Sequence, residues 1–203
     1  MKYILRSLLF ALMVFISQLS FAQKKFAHPE RVRYDGSCMT IEGKDVFVYS
    51  AAFHYFRCPE ELWRDRFRQI EAGFNTVETY VPWNWHERTM PLSLDDTTHF
   101  DFSDLKRWLK MAQDEYGFYT IVRPGPFICA EYSGGGYPRW LAKYRPESVD
   151  DFWLRSADER HIRWSQHWFD AVCKAVADEQ ITRKPVGDKG IILIQIENEY
   201  NHH

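Results

Sequence analysis

Within a few residues, Ile191-Ile192-Leu193-Ile194-Gln195-Ile196-Glu197-Asn198-Glu199-Tyr200 passes from an apolar, β-branched run to two carboxylates flanking an amide. The run follows Gly190 and is too short for a membrane span, so it reads as a buried strand with charge at its C-terminal end. A parallel α/β barrel keeps its active site at such strand ends, although a structural ion-pair network would use the same residue types. The chemistry this stretch suits is cleavage of a glycosidic bond with retention. That reaction needs two carboxyls about 5–5.5 Å apart, one to protonate the leaving oxygen and one to attack the anomeric carbon. The acid must hold its proton near neutrality, which calls for burial or a neighbouring charge. Glu199, at the strand mouth, is the candidate acid; alternation sends Glu197 to the same side and Asn198 to the other. Asn198 can donate to a sugar hydroxyl, and Tyr200 can orient the acid.

A sugar also needs flat aromatic faces and convergent polar groups. Tyr80, Trp83, Trp85, Tyr132 and Trp140 are candidates for the first; Arg57, Asn84, His86, Glu87 and Glu131 for the second. Core packing competes with this reading for each aromatic, and His54 alone reads as a structural histidine. Other chemistries find no support. Gly134-Gly135-Gly136 lacks the Gly-Lys-Ser/Thr of a phosphate loop, and its backbone is expected to pass close to a ligand or a neighbouring loop. His86-Glu87 is not followed by the second histidine of a zincin, and no Gly-x-Ser-x-Gly elbow exists. The four cysteines contain no Cys-x-x-Cys pair, so no zinc site is expected, and they read as buried thiols. No metal or cofactor is called for.

The elements that must position these groups alternate. A strand pair, Met39–Ile41 and Val46–Tyr49, is expected around a turn at Glu42-Gly43-Lys44. Ser50 to Arg57 leads, past Pro59, to a helix carrying Leu62, Trp63, Phe67 and Ile70 at helical spacing and closed by Gly73. A strand over Asn75–Val81 follows. Next comes a helix capped by Ser103 with Leu105, Trp108, Leu109 and Ala112 inward, then a strand at Tyr119–Val122. A long helix with Trp164, Trp168, Val172 and Val176 precedes the strand that begins at Ile191. Polar and aromatic residues crowd after each strand. This favours a (β/α)8 TIM barrel over a doubly wound sheet, which would place a ligand only at its switch point. Such barrels take roughly 250 residues. The chain has 203 and holds the first four β/α units, so it reads as an incomplete barrel.

Composition suits one globular domain, rich in aromatics with 8 Trp, 11 Tyr and 15 Phe. A net charge of −2 gives no reason to expect nucleic acid. Lys2 and Arg6 precede an apolar run from Leu8 to Leu19, and Ser20-Phe21-Ala22 offers a cleavage site. Residues 1–22 are therefore expected to be a secretory signal peptide, making the mature protein exported and free of the membrane. Residues 23–203 form the domain.

Ser50 to Arg57, Thr76 to Glu87, Arg123-Pro124-Gly125-Pro126-Phe127-Ile128-Cys129-Ala130-Glu131, Gly135 to Leu141 and Gln195 to Tyr200 resemble glycoside hydrolase family 35, from about Tyr34 to Tyr200. The resemblance implies a retaining β-galactosidase acting on terminal, non-reducing β-galactose of oligo- or polysaccharides. It makes Glu199 the acid/base and Glu197 a supporting residue. Tyr80, Cys129, Ala130, Glu131 and Asn198 then line the galactose pocket, with Glu131 on ring hydroxyls. It places the nucleophilic glutamate in a second half absent from this chain. The other readings are an inactive carbohydrate-binding remnant and the same barrel with another β-glycosidase specificity.

Overall fold

The computed structural model describes residues 26–144 and 153–200. The expected signal peptide lies outside the described residues. Four parallel strands form, hydrogen-bonded in sequential order: β4 (Ser50–Ala52), which the sequence did not mark as a strand, and the expected β5 (Thr76–Tyr80), β6 (Tyr119–Gly125) and β7 (Ile191–Ile196). Sequential order is that of a barrel wall; a doubly wound sheet reverses at its switch point. Helices α1 (Trp63–Ile70) and α3 (Ser103–Lys110) cross between strands, α2 (Trp83–His86) is a single turn after β5, and α4 (Glu159–Val176) leads towards β7.

The helical faces follow their spacing. Trp63 and Phe67 of α1, and Leu105, Trp108 and Leu109 of α3, are buried with Val77 of β5 and Val122 of β6 in one core. Trp168 and Val172 of α4 join it. Phe67 and Trp108 meet at 5.7 Å between ring centroids, a pairing worth about 0.5–1.5 kcal/mol beyond the area buried. Leu62 is not on this face: it precedes the helix and is 41% exposed. Ser103 is the first helical residue and does not cap with its side chain; Asp101 Oδ1 accepts the Ser103 N–H at 2.9 Å instead. The helix continues through one wide turn, Met111–Glu115, before Gly117 turns the chain at φ +66°.

Ahead of the parallel sheet sits an antiparallel meander, β1 (Val32–Tyr34), β2 (Met39–Ile41) and β3 (Lys44–Val46). The expected second strand of this pair begins two residues early and stops at Val46. The reason is a two-residue turn, Glu42-Gly43, with both residues at positive φ (54° and 73°), the twist that a tight hairpin favours. Beyond β3, Asn75 takes over as partner, accepting from Tyr49 N and donating to Phe47 O. Arg31, almost fully buried, donates from its guanidinium to the carbonyls of Ile181, Lys184, Pro185 and Asp188, fixing the loop that feeds β7.

β7 departs from the fully buried strand that its apolar run predicts. Ile191 and Ile192 are buried, whereas Leu193, Ile194 and Ile196 are 42%, 40% and 68% exposed. It is an edge strand of the sheet among the described residues, bridged on its far side only at Ile191, to Gln180. Its entry is tight. A Cβ on Gly190 would lie 2.7 Å from Ile181 Cα and N and 2.9 Å from Glu179 O. Backbone cannot swing aside as a side chain can. Gly190→Ala is therefore expected to destabilise by about 3 kcal/mol, the upper end of ordinary overpacking. Urea midpoints check this, and an unshifted midpoint would mean that the entry is not packed this way.

Candidate active site

The C-terminal ends of the four parallel strands bring the polar residues together. Strand β5 ends in Tyr80, whose hydroxyl donates to Asn198 Oδ1 at 3.3 Å. The same oxygen accepts from Arg123 Nη2 at 3.0 Å and Gln195 Nε2 at 3.2 Å. A guanidinium only donates, so the amide oxygen must face Arg123. Asn198 is buried, and among the described residues its Nδ2 is left free to donate. Arg123 is itself held on two further sides. Its Nη1 donates to Glu78 Oε1 at 3.2 Å, and its guanidinium carbon lies 4.0 Å from the Tyr80 ring centroid. Half-buried His54 packs on the Tyr80 ring at 5.2 Å and accepts from Tyr80 N at 3.4 Å. Burial, reinforced by Arg57 and Arg123, lowers its pKa to about 4, so His54 is a neutral prop for Tyr80.

Glu199 belongs to this cluster. Its charge helps to raise the Tyr80 pKa, together with burial, which dominates, and with Glu78 and Cys129; Arg123 opposes them. Glu199 is exposed, so burial, one of the two means expected of a candidate acid, is not supplied here. The expected alternation also breaks. The strand ends at Ile196, and Glu197 and Glu199 both adopt positive φ (62° and 52°). Asn198 turns in towards Tyr80 and Arg123, while Glu197 turns to Arg155, pairing with its Nη2 at 3.0 Å. Glu197 is tied into the strand end. Its backbone N–H donates to Gly125 O at 2.7 Å, binding the end of β7 to the end of β6.

After β6, Cys129, Ala130 and Glu131 are three successive residues at positive φ (54°, 53° and 45°), closed by Tyr132 N donating to Cys129 O at 2.9 Å. Non-glycine residues in this region cost about 1–2 kcal/mol each, so the turn is held by its surroundings. Arg57 donates to the Ala130 carbonyl, which places that candidate as a tether of the turn. Glu131 is exposed. The glycine run supports the same turn from behind: a Cβ on Gly135 would sit 2.1 Å from the Phe127 ring. The expected close approach is to a neighbouring loop.

Several expected sugar contacts are core residues. Trp83 is fully buried and stacks on Trp168 at 5.7 Å, and Trp140 packs edge-on against Trp83. His86 is buried between the Tyr55 hydroxyl (2.5 Å) and the Asp101 carbonyl (2.6 Å), and burial lowers its pKa to about 4. Glu87 accepts from Trp83 Nε1 at 2.7 Å and from His167 Nε2 at 2.9 Å. Asn84 donates to Ser133 O, Trp85 donates to Asp104, and Tyr132 packs against Phe56. All four cysteines are free; three are half-buried and Cys173 is exposed, so they are not the buried thiols expected. Among the described residues no group of three His, Cys, Asp or Glu side chains could hold a metal ion, and no helix is long and apolar enough to cross a membrane.

The buried Glu87–His167 pair yields a pH prediction. His167 Nδ1 faces the Leu94 carbonyl at 2.7 Å and Nε2 faces the carboxylate. Neither acceptor can donate, so the imidazolium satisfies both. Burial pushes the His167 pKa down, but the hydrogen bonds to Glu87 and Leu94 and the Glu87 charge outweigh it, and the net shift is upward. A raised folded-state pKa gives stability that is complete below the unfolded value, about 6.5, and is lost as pH rises through the folded value. His167→Gln is expected to cost about 3–5 kcal/mol at mildly acidic pH. The gap between the melting curves of the two proteins should narrow as the pH is raised into the alkaline range. A gap that widened with pH would contradict the charged pair.

Two residues of this site were not singled out from sequence. Arg123 had a signal, a charge at the end of the apolar strand Tyr119–Val122. Arg155 had none.

A sheet of parallel strands delivering carboxylates, an amide and an arginine to its C-terminal rim is the arrangement found in α/β-barrel enzymes. Residues 38–203 match glycosyl hydrolases family 35, and the chain belongs to that family. Membership carries a TIM-barrel-type α/β fold, with which the parallel strands and crossing helices agree. The chain is 38% identical over 165 residues to beta-galactosidase-1-like protein 3 of Rattus norvegicus, covering 79% of this chain and 24% of the relative. It is 37% identical to the beta-galactosidase of Xanthomonas manihotis over 83% of this chain and 26% of that one. It is 40% identical to the exo-beta-D-glucosaminidase of Pyrococcus horikoshii over 58% of this chain and 15% of that one. The chain thus spans about a quarter of the length of the beta-galactosidase relatives it matches.

Proposed function

We propose that this chain is the N-terminal part of the catalytic barrel of a retaining exo-β-galactosidase, with Glu199 as acid/base and the nucleophile supplied from outside the present sequence. The observation that carries the reading is the Asn198 amide, fixed by Arg123, Tyr80 and Gln195 with Nδ2 free, immediately before Glu199. An acid beside a preorganised donor is what an oxocarbenium-like transition state with a sugar 2-hydroxyl requires. The exposed side of β7 fits further barrel strands packing there. Tyr80, Cys129 and Glu131 would line the sugar pocket. Export after cleavage before Gln23 is part of the same reading.

The test is an assay of the full-length protein on aryl β-galactoside, β-glucoside, β-xyloside and β-glucosaminide, with NMR of the first-formed anomer. Galactoside turnover giving β-galactose first supports the reading. Turnover of the glucosaminide alone would replace it with the specificity named for the Pyrococcus relative.

A further inference from the structure

Between the strand-end cluster and α4 lies Arg155, an arginine at positive φ (56°) whose side chain is only 12% exposed. Its Nη2 alone donates to three acceptors of the β7 terminus: Glu197 Oε2 at 3.0 Å, the Asn198 carbonyl at 2.8 Å and the Glu199 carbonyl at 2.9 Å. The flat face of the guanidinium lies 4.0 Å from the Phe127 ring centroid, and Tyr200 OH donates back to the Arg155 carbonyl at 3.2 Å. Phe127 is the ring against which Gly135 packs, on the segment leading into the Cys129–Glu131 turn. One side chain therefore spans the two loops that carry the polar rim.

The segment it holds is one that would not hold itself. Glu197 and Glu199 are both in the left-handed region, at a cost of about 1–2 kcal/mol each. The two N–H bonds of this one charged nitrogen, shared among the three acceptors, offset that cost and fix the backbone on either side of the Glu199 Cα. We propose that Arg155 is a positioning residue for Glu199, setting the direction of its carboxyl through the backbone without touching substrate. The inference rests on the role proposed for Glu199 above.

Lysine is a poor replacement. It keeps the charge and carries three donors on one nitrogen, but its ammonium cannot lie flat on the Phe127 ring as the guanidinium does. Arg155→Met removes the donors altogether.

The experiment measures kcat/KM of full-length wild type, Arg155→Lys and Arg155→Met on aryl β-galactosides of graded leaving-group acidity, beside the fraction folded. Misplacing an acid by about 1 Å can cost about 10²-fold. The expected result is a loss of about 10²-fold on phenyl galactoside and little loss on dinitrophenyl galactoside for the methionine variant, with the lysine variant between it and wild type. An equal loss on every leaving group, following the fraction folded, would reduce Arg155 to a structural residue. Arg155→Lys carries the same test where Arg155→Met does not accumulate. Wild type inactive on all these substrates would overturn the galactosidase reading and this inference with it. Active wild type with a flat leaving-group dependence in the variants overturns the inference alone.

Discussion

Glu199→Gln in the full-length protein is expected to lower kcat/KM on phenyl β-galactoside by about 10²–10⁴-fold, the usual contribution of a general acid. The dinitrophenyl galactoside, whose leaving group departs without a proton, should lose far less in the same parameter. Glutamine keeps the shape of the side chain, which is exposed at the rim, so folding should be untouched. The second half-reaction sharpens the expectation. A retaining enzyme uses the same residue as base to activate water against the glycosyl-enzyme. On the activated substrate kcat should therefore fall while KM falls with it, because the covalent intermediate accumulates. Stopped-flow release of dinitrophenolate would show a burst followed by a slow steady state. Equal losses on all leaving groups, without a burst, would remove Glu199 from the acid/base role.

Much of the scaffold was legible because burial imposes a period. Leu105, Trp108, Leu109 and Ala112 can share a face only in a helix, and all four are fully buried. Strands β5, β6 and β7 were legible as apolar runs bounded by turn residues, whereas β4, Ser50–Ala52, has no such run and was not. Errors arose where tertiary contacts override local pattern. Trp83, His86 and Glu87 follow β5 and carry the letters of a sugar site, yet α4 covers them with Trp168 and His167. Nothing in the local sequence says which side of the β5 loop a helix more than 70 residues later will cover.

The same limit explains the strand end. Period-two alternation assigns Glu197 and Glu199 to one side only while the backbone stays extended. Once both adopt positive φ, the rule has no force: the Glu197 carboxylate goes to Arg155 and the Asn198 amide to Arg123. Arg155 itself sits in Leu154-Arg155-Ser156, surroundings that carry no chemical signal. Its importance comes from a contact with residues 42 to 44 positions away, visible only when the loops are in place.

Asn198→Asp separates the two halves of the amide and is expected to move stability and catalysis in different directions. The carboxylate retains the oxygen that receives Arg123, Tyr80 and Gln195, and the guanidinium bond becomes fully ionic, so the melting temperature should hold or rise. What disappears is Nδ2, a donor with no partner among the described residues, replaced by an anion that repels both a sugar hydroxyl oxygen and the Glu199 carboxylate. Losing a preorganised donor costs about 10²–10³-fold in turnover. The added charge should also raise the pKa of the neighbouring acid and carry the alkaline limb of the pH–rate profile upward. Asn198→Ala is the control: it leaves three donors facing nothing and should lose about 1–3 kcal/mol of stability as well as activity. An aspartate variant that is as active as wild type would show that Nδ2 makes no bond in the transition state. One that is inactive and also unstable would place the contribution of Asn198 in the fold of the strand end, not in recognition of the sugar.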